Sequence, residues 1–265
     1  MNASTLQIPV TARAVPELDL RQGRYRLRFA RGQEDVDRAQ SLRFEVFNRE
    51  LGEGLAESWA TRRDRDEFDP ICHHLLVEDA ATGELAGTYR MQTHAMAEAG
   101  RGFYSAREFA LESLPREVRA GAIELGRACV APPHRGGRAL LALWRGIAEY
   151  VRWSGQRYLF GCCSLTSQSD ADGWALHREL AGRGATHSEL SIPARPPFEC
   201  ERLALAPGAA APGAPPLLDM YLRAGARVVS EPALDREFGT IDFLVLLDLA
   251  SLPEGAIART LGARA

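Results

Sequence analysis

Lysine is absent from the 265 residues, so all 32 basic side chains are arginine. That excludes a Walker-type phosphate loop, which needs a lysine point charge, and a pyridoxal Schiff base, which needs a lysine amine. Every cation is instead a planar fork of donors suited to carboxylate or phosphate. A strong excess of one charge is also missing. The 35 acidic residues leave a net charge of -3, and the total carries no nucleic-acid footprint. Cysteine is sparse, with five residues (Cys72, Cys129, Cys162, Cys163, Cys200) and no C-x-x-C spacing, which argues against a disulfide framework and for a reducing compartment. The N-terminal stretch lacks a basic region followed by a long apolar run, and the longest purely apolar stretch near the end is Phe243 to Leu247. Neither a signal peptide nor a spanning helix is expected, and the expected location is cytoplasmic.

What is present is globular composition, 46% hydrophobic and 25% charged, with enough length for one large domain or two small ones. Residues 1–23 lack periodicity and are expected to be irregular. A single domain is expected over 24–250, followed by a tail at 251–265. Tyr25 to Phe29 alternates with period two and reads as a strand, and Gln33 to Gly52 turns helical, with Arg43, Phe47 and Glu50 on one face. His73 to Val77 and the run ending at Tyr89 flank Ala81-Thr82-Gly83 as a hairpin. Phe103 to Leu111 suits a short helix, Ala122 to Val130 is a clear strand, and Leu140 to Val151 is amphipathic. Tyr158 to Cys163 reads as a buried strand, Asp170 to Leu180 as a helix capped by Asp170 or Asp172, and Ile241 to Leu249 as a strand. Alternating strands and helices imply an α/β fold. A low-complexity stretch of Pro, Ala and Gly at 206–216 is expected to be a mobile loop.

Chemistry concentrates in two places. In Val130-Ala-Pro-Pro-His-Arg135-Gly-Gly-Arg138 a buried strand stops and a glycine-bearing turn opens a helix. Free N–H groups and the positive end of the helix dipole favour phosphate there, with Arg135 and Arg138 adding forked donors. An ordinary loop with solvated arginines is the alternative. In Ile123-Glu124-Leu125-Gly126-Arg127 a carboxylate and a guanidinium sit inside a buried strand. Three residues apart, they fall on opposite faces of a regular strand, and Gly126 is where a bulge could reset the alternation. An internal ion pair is the architectural alternative. The acid-rich run Arg63 to Asp69 fails the calcium-loop pattern, with Phe68 and Leu75 where ligands belong, so no metal is expected. Cys162 and Cys163 are flanked by Leu159 and Phe160, which favours inert buried thiols.

The order of these motifs resembles the GNAT superfamily of N-acyltransferases, specifically the branch of ornithine N-acyltransferases of ornithine-lipid synthesis. The residues that carry it are Leu42-Arg43-Phe44-Glu45-Val46-Phe47, Asp66-Glu67-Phe68-Asp69, His74-Leu75-Leu76-Val77, Gly87-Thr88-Tyr89-Arg90, Phe103-Tyr104-Ser105, Glu124-Leu125-Gly126-Arg127, Gly161-Cys162-Cys163-Ser164 and Asp235 to Phe243. Several of them also resemble acyl-homoserine lactone synthases, which are generally shorter. Arg135-Gly136-Gly137-Arg138-Ala139 is only a loose version of the superfamily's pyrophosphate loop.

The resemblance implies a mixed, splayed central sheet with helices on both faces. It implies transfer of a 3-hydroxyacyl chain from the phosphopantetheine arm of acyl carrier protein, or from acyl-CoA, to an amino acid such as ornithine, with no tightly bound cofactor. Glu124 would be the base, and backbone N–H groups near Cys129 and Val130 would receive the oxyanion. Arg90 and Arg127 would hold the carboxylate, while Asp66 and Asp69 would meet the side-chain ammonium or order a loop. Arg43 and Phe47 are further substrate-side candidates, and Arg135, Gly136, Gly137 and Arg138 the donor-side ones. Arg138, Arg145 and Arg152 recur at seven-residue spacing, a stripe for an acidic carrier protein. No nucleic acid is expected, and the resemblance allows peripheral contact with the inner membrane. Two other classes stay open: a lactone synthase-like or other N-acyl amino acid synthase, and a non-catalytic acyl-binding module.

Overall fold

A computed structural model describes residues 15–202 and 211–252. Strand-forming residues dominate the interior. β1 (Asp19–Gln22), β2 (Tyr25–Phe29), β3 (His73–Asp79), β4 (Leu85–Thr93), β5 (Ala122–Val130), β6 (Tyr158–Leu165), β7 (Arg227–Val228), β8 (Ala233–Asp235) and β9 (Thr240–Asp248) form one mixed sheet in the order β1-β2-β3-β4-β5-β6-β9-β7, with β8 on β9. β5 and β6 are parallel and the other pairs antiparallel. Asp19 to Gln22, expected to be irregular, instead pair with β2, two turn residues away at Arg24 and Gly23. The first fourteen residues, the stretch 203–210 and the tail beyond 252 lie outside the described residues.

Helices cover both faces. On one, α5 (Arg138–Ser154), α6 (Asp170–Gly182) and α7 (Pro216–Arg223) pack Leu143, Ile147, Leu176 and Leu218 against Leu27, Leu75, Met91, Ile123 and Phe243. On the other lie α1 (Gln33–Phe44) and the segment carrying α3 (His94–Ala99) and α4 (Arg116–Ala120), with Phe103, Phe109, Leu111 and Val118 packed on Ala122, Phe160 and Leu244. The short α2 (Ser58–Thr61) follows α1. Alternation sends odd and even residues of each strand to opposite layers.

Three details differ from the sequence reading. The helix from Gln33 does not run uniformly to Gly52: from Glu45 to Leu51 it widens to a π-helix, a form often found at functional sites, and Gly52 ends it at φ 69°. Phe103 to Leu111 is not one helix but 3-10 turns at Tyr104–Arg107 and Leu111–Ser113. Asp170 and Asp172 do not cap α6; Asp172 accepts from the Ser167 hydroxyl at 2.7 Å and Asp170 from the Glu201 N–H at 3.0 Å.

Candidate active site

The site begins where β5 and β6 part. They pair at only three positions, Ala122 with Tyr158, Ile123 with Leu159 and Glu124 with Phe160, although β5 continues for six more residues. At the parting point a Cβ on Gly161 would sit 2.0 Å from the Leu125 carbonyl oxygen, so only glycine fits there. Opposite, against β4, Tyr89 alone lies between the pairs Thr88–Cys129 and Arg90–Gly126, while β5 has both Arg127 and Ala128. That extra residue is a bulge. The left-handed residue is Arg127 itself, at φ 48°, and not Gly126. The slip keeps Arg127 on the face of Glu124.

A cavity of about 610 Å³ runs through the gap. Its polar end is lined by Arg90, Tyr104, Glu124, Arg127 and Asp242 on one face of the sheet. Its apolar end, with Trp144, Ile147, Leu159, Met220, Tyr221 and Leu247, lies on the other. It meets solvent at the exposed loop Arg135-Gly136-Gly137, where Gly137 adopts φ 85° and opens α5.

The charges are distributed differently from the sequence reading. Glu124 does not pair with Arg127; its carboxylate accepts the N–H groups of Tyr104 (2.7 Å) and Ser105 (2.8 Å) and the Ser105 hydroxyl (2.6 Å). Burial raises its pKa above the usual value, against the lowering effect of those bonds. Arg43 is locked by Asp64 (2.8 Å) and by both oxygens of Asp69 (2.9 and 2.8 Å). Arg90 Nη1 reaches Asp66 at 2.6 Å and Asp69 at 3.1 Å, and Arg127 reaches Asp66 and Asp64 at 3.2 Å each. Asp66 and Asp69 are therefore arginine partners and are not left to meet an ammonium. Burial alone would raise both, but Arg90 and Arg127 hold Asp66 down at about 2, and Arg43 and Arg90 hold Asp69 lower still.

The hydrogen bonds to the aspartates use Nη1 of Arg90 and Nη2 of Arg127, and the Tyr104 hydroxyl also bonds to the Arg127 guanidinium. Both guanidiniums stack on Tyr104, at 4.9 and 5.3 Å from its ring, and Arg127 lies 4.5 Å from the Phe238 ring. Phe47 lines the cavity edge-on to Phe238 at 5.6 Å.

On the donor side the expectations divide. Ala131 N–H bonds Ala86 of the β4 side, so by alternation Cys129 N–H also points to β4 and Val130 N–H into the gap. The Cys129 thiol is packed against Val46, Phe47 and Phe238, and burial pushes it up to about 12, which leaves it no nucleophile. Arg135 is not a free phosphate donor, because Glu50 holds both its terminal nitrogens and Val130 carbonyl its Nε. Gly136, Gly137 and Arg138 remain open at the start of α5. Among the described residues no helix is long and apolar enough to cross a membrane.

Sequence reasoning assigned no role to Tyr104, Ser105, Asp64, Glu108 or Asp242. Asp242 carried the signal used for Glu124, a charge inside an apolar strand; Tyr104 and Ser105 were marked only by the Phe103-Tyr104-Ser105 motif of the resemblance, and Glu108 carried no signal, since only tertiary structure brings that segment over β5 and β6.

A splayed mixed sheet with a bulged strand and a glycine-opened helix at the gap defines a GNAT-type acyltransferase, and residues 42–145 match the acetyltransferase (GNAT) domain. The chain is 34% identical to L-ornithine N(alpha)-acyltransferase of Rhizobium meliloti over 237 residues, 85% of this chain and 80% of that one. It is 35% identical to the protein of that name from Rhodobacter capsulatus over 242 residues, 87% of this chain and 92% of the other. The chain belongs to this family of GNAT N-acyltransferases. Solved structures that align include a CoA-dependent acyl-homoserine lactone synthase with SAM and isopentyl-CoA (TM-score 0.45, 14% identity, 88% of this chain and 85% of that one). An N-acyl amino acid synthase from uncultured soil microbes also aligns (TM-score 0.48, 10% identity, 86% and 92%).

Proposed function

We propose that the chain transfers a long 3-hydroxyacyl group from the thioester of acyl carrier protein to the α-amine of ornithine, making a lyso-ornithine lipid at the cytoplasmic face of the membrane. One observation carries this reading: a single cavity joins a charged chamber on one face of the sheet to an apolar chamber on the other, through the gap beside Glu124. The names of the relatives supply ornithine as acceptor. An amino-acid headgroup suits the first chamber and an alkyl chain the second.

The chemistry follows from position. The thioester lies in the gap, with Val130 N–H aimed at its developing oxyanion. Arg90 Nη2 and Arg127 Nη1 take the acceptor's α-carboxylate. That sets the α-amine beside Glu124, which removes its proton directly or through one water. The Tyr104 hydroxyl, which lines the cavity, is the acid for the departing thiolate, kept protonated because burial raises it. The phosphopantetheine phosphate meets the first turn of α5 at Gly136, Gly137 and Arg138. A single phosphate there requires less of the loop than the pyrophosphate of CoA, which matches a loop whose Arg135 is already engaged.

Purified protein incubated with 3-hydroxyacyl carrier protein and ornithine should yield N-acylornithine by mass spectrometry, and cells expressing it should accumulate the lyso-lipid. No acylated amino acid from either carrier-protein or CoA donors would overturn the reading.

A further inference from the structure

With Asp66 and Asp69 occupied by arginines, the charged chamber still holds carboxyls that no cation neutralises. Asp242 and Glu53 line the cavity, and Glu108 lies behind Cys162, whose thiol approaches Glu108 Oε2 at 3.8 Å. All three acids are at least nine-tenths buried, and none forms an ion pair among the described residues. Nearby Asp235 is different, since Oδ1 accepts the N–H groups of Glu237 and Phe238. The telling atom is Asp242 Oδ1, buried and without a hydrogen-bond partner among the described residues, while the side chains of Ser164, Thr240 and Glu108 bond to the same carboxyl group. A buried acceptor left unmade is expensive, and a charged one more so.

We infer that Asp242 and Glu108, with Glu53 beside them, form the subsite that receives the side-chain ammonium of an α,ω-diamino acid. This rests on the amino-acid reading of the same cavity and adds the residues that select the acceptor.

Spacing supports it. Glu124 pairs with Phe160, and Cys162, in contact with Glu108, is two residues further along β6, about 7 Å. The two nitrogens of ornithine, separated by five bonds of about 1.5 Å in an extended chain, are about 6 Å apart. An acceptor with its α-amine at Glu124 thus delivers its second amine to the acid pair. Ser164, opposite Asp242 on β6, and Thr166, which hydrogen-bonds Glu53, supply polar lining. Burial raises the pKa values of both Glu108 and Asp242, joined at Glu108 by the charges of Asp242 and Asp235 and at Asp242 by that of Asp235. The hydrogen bond between the pair favours the carboxylate of Asp242 and the acid form of Glu108, so the empty subsite retains a proton that a cation would displace.

The test compares ornithine with norvaline, the same chain without the second amine, in wild type, Asp242→Asn and Glu108→Gln. Wild type should strongly prefer ornithine. Either variant should raise KM for ornithine about ten-fold or more, the size of a lost hydrogen bond to a charged group, while KM for the acyl donor and turnover of norvaline stay unchanged. The unchanged donor KM shows that the fold is intact; should Asp242→Asn misfold, Glu53→Gln at the chamber wall gives the same readout. Equal use of norvaline and ornithine by wild type, or an intact preference in the variants, overturns the subsite while leaving amino-acid acylation standing. Acylation of no amino acid defeats both readings. Because Glu108, Cys162 and Asp242 place ligand atoms within 4.8 Å of one another, ornithine turnover lost on chelation and restored by zinc would make them a metal site and also overturn the inference.

Discussion

Arg127 combines two unusual properties at one residue: a left-handed backbone and a buried charge balanced by aspartates. The backbone costs about 1–2 kcal/mol for an L-residue, and such strain persists where its surroundings require it. Here the requirement is the bulge that brings Arg127 to the Glu124 face. Glu124 is both a turn anchor and the proposed base, so Glu124→Gln should lower kcat about 100-fold and also destabilise the protein, because an amide cannot accept all three bonds. Ser105→Ala separates the two roles. The lost hydroxyl bond favoured the carboxylate, so its removal raises the Glu124 pKa further. A base must be ionised to act, so kcat/KM should rise with pH, and in Ser105→Ala that acid limb should move to higher pH. A shifted melting temperature with an unmoved limb would leave Glu124 only architectural.

At the scale of elements, the gap between β5 and β6 is fixed by Gly161. Gly161→Ala would drive a methyl into the Leu125 carbonyl, and backbone cannot yield as a flexible side chain can. The expected loss is about 1–3 kcal/mol of stability, read by denaturant titration, with reduced acyl transfer from long-chain donors. On α5 the arginine stripe is weaker than its spacing implies, because Arg145 and Arg152 share Glu149. Arg138 then contributes most of the local excess at the cavity entrance. Reversing Arg138 and Arg145 to glutamate should raise KM for acyl carrier protein at low salt, less so at high salt, and leave KM for the amino acid nearly unchanged. Steady-state kinetics at two ionic strengths check this.

Across the whole molecule, Arg43, Arg90 and Arg127 with Asp64, Asp66 and Asp69 tie α1, the loop after α2, β4 and β5 into one buried network. Its acid sensitivity has a definite sign. Asp66 and Asp69 have folded pKa values below the ordinary 3.8, so their contribution is full above that value and is lost as pH falls through the folded ones. Thermal melts should therefore show a steep fall between about pH 4 and 2, with uptake of about two protons on unfolding. A flat melting temperature over that range would mean that the network is not ionised.

Sequence alone determined the α/β class, the strand at Ala122–Val130, the amphipathic helix after it, and Glu124 with Arg127 as charges in a buried strand, because periodicity and burial of charge are local properties. It also pointed to a bulge at Gly126; the register instead stays regular through Gly126, and the extra residue falls at Arg127 and Ala128, with Arg127 in the left-handed conformation. Tertiary structure alone decided which opposite charges meet. Arg43, Asp66, Asp69 and Arg90 are legible as candidates one by one, but their pairing depends on a helix, a loop and a strand converging, and it withdrew the aspartates from the acceptor. The same convergence leaves Asp242 and Glu108 without a cation. Between residues 134 positions apart, only the fold sets the distance, and in a buried chamber that distance determines whether a carboxylate is neutralised, shares a proton or waits for a substrate's ammonium.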